Sequence, residues 1–232
     1  MLSFPSVTVL KRKKTQCSDM APANKQKPTS PPPQPAKRMT GEERKKQIVR
    51  VTLDLVAKYG VQGTTTARIA AAAGVSEKTL YKYFASRRDI LIAALDVAFD
   101  RANYVLHMDS GGNALERLRA IGRAHWASVV RKKEGFVYPL YEFVAAPAVD
   151  GLRQRIRVRQ LASVKALADI VDEGKAQGLI RPDVDSEQVA WELMSVYMSE
   201  DLSYLMGVEE FATAGRSATM LERILRDISV DR

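Results

Sequence analysis

Lys78, Thr79, Lys82 and Tyr83 are spaced so that cations and hydrogen-bonding groups fall on one outward side of a short helix between Ser76 and Phe84. The inward side of that helix is Leu80 and Phe84, at i and i+4. A helix that is apolar within and cationic without suits the major groove of duplex DNA, where such side chains meet base edges and phosphates. Other chemistries lack their residues. The 232 residues include one cysteine, Cys17, and two histidines, His107 and His125, too few and too scattered for a zinc site or a disulfide framework. No glycine-rich phosphate loop, nucleophile elbow or His–carboxylate cluster at useful spacing occurs, so neither an enzyme nor a cofactor is expected.

The elements that must hold this helix are also legible. Thr65 is placed to cap a preceding helix through its side-chain oxygen. Ile69, Ala70 and Ala73 form that helix's inner face, and the small alanines let two short helices approach closely. Gly74 supplies the left-handed backbone that a tight turn requires. Val75 plugs the turn and Ser76 caps the next helix. An ordinary helical hairpin with a solvated basic face would need only the glycine turn. The caps, the apolar pairs and the Ala-Gly-Val-Ser turn at one common spacing favour a DNA-binding helix-turn-helix instead.

Charge follows the same division. The net charge is +9, but residues 1–40 carry eight Lys or Arg against one Asp, and residues 108–232 carry seventeen against nineteen Asp or Glu. The basic character lies in the N-terminal third and fits a polyanionic partner, although a solubilising tail explains residues 1–40 equally well. Residues 1–39 are rich in Pro, Lys, Gln and Ser and read as a disordered basic tail. Met20 and Met39 are alternative start sites, since a chain starting at Met39 keeps every expected helix. There is no secretory signal pattern and no apolar run of membrane-spanning length, so a cytoplasmic protein with no membrane partner is expected.

From Thr40 onward the periodicity is helical, and no run alternates like a strand. Thr40 and Glu43 form a capping-box pattern, and Gly60 reads as the stop of the first helix. A fourth helix starts near Ser86 with Ile90, Leu91, Ala94, Leu95, Ala98 and Phe99 on one side. Gly111-Gly112 breaks the pattern. Helices then follow over about 113–130, 135–146, 149–177, 186–206 and 209–228. The expected architecture is all-α, in three parts: the tail at 1–39, a three-helix DNA-binding domain at 40–102, and a larger helical ligand-binding and dimerisation domain at 103–232. Val189, Leu193, Val196, Leu205, Ala218, Leu221, Ile224 and Leu225 make two amphipathic stripes expected to form a four-helix dimer interface. Trp126, Tyr141, Phe143 and Met194 are candidates for an apolar ligand cavity, against the plainer reading that such side chains are core. Glu142 is a candidate to orient a polar ligand or is a surface residue. Arg153, Arg155, Arg157 and Arg159 fall on two sides of one helix and read as solvated rather than as a headgroup site.

The run from Thr64 to Leu91, with Ala-Gly-Val-Ser at 73–76 and Thr-Leu-Tyr-Lys-Tyr-Phe at 79–84, resembles the TetR/AcrR family of bacterial transcriptional regulators. The resemblance covers about residues 42–102. It implies an all-helical homodimer whose fourth helix links the DNA-binding domain to a ligand-binding and dimerisation domain. By position, Thr66, Tyr81 and Arg87 match places that touch phosphate, whereas Lys78, Thr79, Lys82 and Tyr83 match places that face bases or backbone. Lys78 departs from the glycine common at its position, and Arg87-Arg88 replaces a usual Lys-Glu pair. The expected function is therefore a sequence-specific regulator, a repressor that binds a palindromic operator as a homodimer and is released by a small apolar effector. An architectural or activating DNA-binding protein without a small-molecule ligand is the alternative.

Overall fold

A computed structural model describes residues 39–108, 111–130, 137–147 and 151–230, and the backbone of Arg131. The tail expected at residues 1–39 lies outside the described residues apart from Met39. Among the described residues ten helices follow in order: α1 (Gly41–Gly63), α2 (Thr66–Ala73), α3 (Glu77–Leu80), α4 (Arg87–Ala102), α5 (Ala114–Arg131), α6 (Val137–Ala145), α7 (Leu152–Ala176), α8 (Ser186–Leu205), α9 (Glu210–Thr213) and α10 (Arg216–Ile228). A 3-10 turn, Asn103–His107, extends α4. Among the described residues the only extended pairing is a single bridge between Ile180 and Ser229. The fold is all-α, with an N-terminal helix-turn-helix and a helical C-terminal part.

Local chemistry sets the boundaries. Thr40 and Glu43 exchange hydrogen bonds with each other's backbone N–H groups, at 3.2 and 2.7 Å, so the first turn of α1 is capped reciprocally. Gly60 breaks α1 with φ 68° and ψ 173°, and one further turn runs to Gly63. Two expected boundaries move. The sequence also offers Ser186 as the cap of the helix over 186–206, but Asp185 caps α8, accepting from the N–H groups of Glu187 and Gln188. The carboxylate is the better acceptor for free amides beside the positive end of a helix. The final helix expected over 209–228 is two helices, because Gly215 adopts φ 73° between α9 and α10.

Three apolar clusters order the molecule. Ile48, Ile69, Ala70, Ala73, Leu80 and Ile90 close the core under α2 and α3. Leu53, Val56, Leu91, Leu95, Phe99, Leu140 and Phe143 join α1 and α4 to α6. The largest cluster binds α5, α7, α8 and α10. All six apolar residues expected on α4 are buried, but they serve two cores: Ile90 belongs to the first, the other five to the second. Helix α4 is thus clamped on both sides.

The expected interface stripe is largely spent inside the monomer. Val189, Leu193, Val196, Leu221 and Leu225 are all buried within the chain. The apolar side of α8 faces α7, α10 and α5 of the same chain. What α8 leaves outward is Trp191, Ser195, Met198 and Leu202, a stripe at helical spacing whose apolar members are about two-fifths exposed.

Candidate nucleic-acid interface

Helices α2 and α3 meet at Gly74, whose backbone lies at φ 66° and ψ 37°. A β-carbon there would meet nothing within 4 Å, so the glycine is required by conformation rather than by crowding. Ser76 accepts from the Thr79 N–H at 3.1 Å and starts α3. The regular part of α3 is one turn. It then tightens, with Lys82 N–H bonding to Thr79 O at 3.2 Å and Tyr83 N–H to Leu80 O at 2.9 Å.

That tightening sorts the predicted contacts. Lys78, Tyr81 and Lys82 are exposed, with Tyr81 showing 49% of its surface. Thr79 is half-buried, its hydroxyl 2.9 Å from that of Ser76. Tyr83, expected outward, is half-buried against the core under α2 and α3. In a turn of three residues, positions i and i+3 eclipse, so Tyr83 falls in line with buried Leu80. Its ring also lies over Gly41 at the start of α1.

Thr65, Thr66 and Arg87 come together around one surface hollow at the start of α2. Thr65 caps α2 by accepting from Arg68 N–H at 3.3 Å. The Arg87 guanidinium donates to the carbonyls of Thr64 at 2.9 Å and Val61 at 2.6 Å. Arg87 is therefore a staple between the start of α4 and the α1–α2 turn, with part of its donor set used within the chain. Arg68 does similar work: it donates to Gly63 O at 2.6 Å and lies 4.6 Å above the ring of Tyr59. The amides at the start of α2 with Arg87, and separately the exposed lysines of α3, are suited to anionic oxygens.

Residues 48–94 match the profile of the bacterial regulatory proteins, tetR family. The transcriptional repressor KstR2 of Mycobacterium tuberculosis is 28% identical over 151 residues, covering 63% of this chain and 74% of that protein. Residues 48–94 form a TetR-family DNA-binding domain. The chain is a DNA-binding transcriptional regulator. Among solved structures, a TetR regulator from Chloroflexus aurantiacus superposes with a TM-score of 0.71 at 19% identity, over 82% of this chain and 98% of that one. The Bacillus subtilis regulator FadR, solved with stearoyl-CoA, gives 0.60 at 20% identity, over 78% and 97%. Both share the fold. Among the described residues no helix is long and apolar enough to cross a membrane.

The cavity candidates separate. Tyr141 and Met194 line a cavity of about 170 Å³ bordered by α4, α5, α6, α7 and α8. Phe143 does not; it is 1% exposed, within the core joining α1, α4 and α6. Trp126 lines a different cavity of about 370 Å³, bordered by α5, α8, α9 and α10, and donates to Ala212 O at 3.0 Å. Glu142 lies over Gly60 at the break in α1. The arginine cluster divides as expected, with Arg153 and Arg157 exposed. Arg155, though partly exposed, grips Asp96 with two bonds of 2.7 Å, and Arg159 pairs with Asp100. These pairs fasten α7 to α4, because acids four residues apart on α4 face arginines four apart on α7.

A polar group missing from the sequence expectations sits in the 170 Å³ cavity. His125 Nδ1 is 2.7 Å from Glu200 Oε2, and its Nε2 is 3.6 Å from Asp201 Oδ1, close enough for attraction and too far for a hydrogen bond. Tyr197 stacks on the imidazole at 4.8 Å. Tyr141 donates to Asp201 Oδ2 at 3.5 Å. Burial, and the nearby Glu200, push the Asp201 carboxyl up to about 6, against the attraction of His125. Burial also raises the phenols of Tyr197 and Tyr141. One signal was available: Glu200 follows Leu193 and Tyr197 at helical spacing, which places a carboxylate on the buried side of α8.

Proposed function

We propose that the protein is a ligand-responsive repressor that binds a palindromic operator as a homodimer. The observation that carries this reading is the double role of α4. Its first turn is stapled to the α1–α2 turn by Arg87, while Phe99, Ala102 and Asn103 at its far end wall the 170 Å³ cavity. A molecule occupying that cavity bears on the same rigid element that positions the DNA-facing helices. Lys78, Thr79 and Lys82 read bases or backbone, and Thr65, Thr66, Tyr81 and Arg87 serve phosphate, with Tyr83 acting mainly as support. The names of the relatives, repressors among them, and the stearoyl-CoA bound to a neighbour of this fold support effector control.

A second copy is the partner proposed for the outward stripe of α8, Trp191, Met198 and Leu202. A twofold dimer presents two α3 helices to half-sites about one helical turn of DNA apart, roughly 34–36 Å. Footprinting on the intergenic DNA beside the gene, at fixed salt, is expected to show a palindromic protected site. Protection that follows only DNA length and salt favours an architectural role and overturns this reading. Light scattering of the full chain is expected to give a dimer, and Leu202→Glu a monomer.

A further inference from the structure

The cavity beside α4 is apolar over most of its wall, yet it holds an unbalanced set of buried polar atoms. Phe99, Leu106, Leu140 and Ile156 are among its apolar lining, and no lysine or arginine lines it. At one end Asp201, at 7% exposure, faces the imidazole of His125, whose other nitrogen bonds Glu200 behind it, outside the cavity lining. Glu200 takes the 2.7 Å bond from His125. Asp201 Oδ1 is buried without any hydrogen-bond partner, and so are Tyr197 Oη and Gln160 Nε2 on the same cavity wall. A buried carboxylate oxygen left unbonded is costly, and native interiors seldom retain one unless something else completes it. With both acids ionised, one imidazolium still leaves the cluster one positive charge short.

We propose that this cavity binds a small organic cation, a protonated primary amine on an apolar body of about one ring, with its ammonium donating to Asp201 Oδ1. The volume supports the size: an apolar cavity of roughly 150 Å³ holds one benzene, and this one measures about 170 Å³. An ammonium has three donors, which suits Asp201 Oδ1 and leaves bonds for Tyr197 Oη. The upward displacement of Asp201 by burial agrees with a carboxylate awaiting a counter-charge. The inference rests on reading this cavity as the effector site, and it names the class of effector.

The test uses the purified full chain and three probes of one shape: benzylamine, benzyl alcohol and benzoate. Calorimetry is expected to show benzylamine binding at least about tenfold tighter than benzyl alcohol, the worth of one buried charge-assisted hydrogen bond, with benzoate not binding. Asp201→Asn is expected to erase the amine preference while leaving benzyl alcohol within about threefold of its original affinity. Ile156→Phe, which fills the cavity from its wall, is expected to abolish binding of both. Equal affinity for amine and alcohol overturns the proposal. So does amine binding that survives Asp201→Asn or Ile156→Phe, or stearoyl-CoA binding where benzylamine does not. None of these measurements includes DNA. If benzylamine binds as described but leaves operator affinity unchanged, the amine site stands and effector control by that amine fails. If operator release occurs without dependence on Asp201, control stands and the amine site fails.

Discussion

Asp201→Asn makes the protein more stable at neutral and alkaline pH, and it does so by removing a charge rather than adding a contact. The amide has the carboxylate's shape and keeps an oxygen or nitrogen near Tyr141, so packing in the cavity wall is preserved. Burial holds the Asp201 carboxyl at about 6, against an ordinary 3.8. A raised carboxyl means that the folded chain binds the proton more tightly than the unfolded chain. Its favourable contribution is complete below about pH 3.8 and is lost as pH rises through about 6. At about 1.36 kcal/mol per unit, the whole loss is about 3 kcal/mol. Integrated over the window, about 1.4 kcal/mol of it falls between pH 5 and pH 8.

Urea unfolding of both proteins at pH 5, 6, 7 and 8 measures this directly, at one protein concentration because the proposed dimer would make stability depend on it. The informative quantity is the difference between variant and wild type at each pH, which cancels the titrating groups remote from Asp201 and leaves the response of the cluster it forms with His125 and Glu200. That difference is expected to grow by about 1.4 kcal/mol from pH 5 to pH 8, in favour of the variant. Parallel pH profiles would refute the reasoning, since they mean that Asp201 does not bear the cost of a buried charge.

Further substitutions probe the interface and its scaffold. Gly74→Ala is expected to cost about 1–2 kcal/mol in thermal or urea unfolding, from backbone conformation alone, because its β-carbon has room. Lys82→Ala is expected to weaken operator binding by about 1–3 kcal/mol if it reads a base, measured by titration at fixed salt; an unchanged affinity removes Lys82 from the interface. Thr66→Ala is expected to weaken all DNA sequences about equally, since a phosphate contact carries no sequence information.

The helix-turn-helix was legible because its constraints are local. Caps, a left-handed glycine and an i, i+4 apolar pair all act within about one turn, so Thr65, Gly74, Ser76 and Leu80 could each be assigned from neighbours in the chain. Tyr83 escaped because α-helical spacing was carried past the point where α3 tightens into a three-residue turn. The interface stripe on α8 was misplaced for a different reason. Periodicity marks a buried side, and it is silent on whether another helix of the same chain or a second copy buries it. The His125–Glu200–Asp201 cluster was beyond local reading, because α5 and α8 meet only through the packing of the whole C-terminal part. Phe143 was assigned to a cavity on composition, yet it closes a core against α1 and α4.

In the proposed effector control, α4 is the element that carries an event in the cavity to the proposed DNA-facing surface. An effector shifts the protein only by its difference in affinity between two arrangements, so something in the chain must have two arrangements to offer. Movement of the buried face of α4 is resisted by close packing with α1 and α6, and small residues such as Ala94 and Ala98 leave it little slack. Its exposed edge is held differently, by the pairing of Asp96 with Arg155 and of Asp100 with Arg159 on α7. Partly exposed ion pairs of this kind contribute at most about 1 kcal/mol each and exchange readily with water. They are the contacts that can yield while the cores stay closed. Arg155→Ala is accordingly expected to leave stability within about 1 kcal/mol of wild type. It is also expected to change the dependence of operator affinity on effector, measured by titration with and without the amine. A variant with unaltered effector response would show that α4 and α7 move as one body, and that the coupling runs through α6 instead.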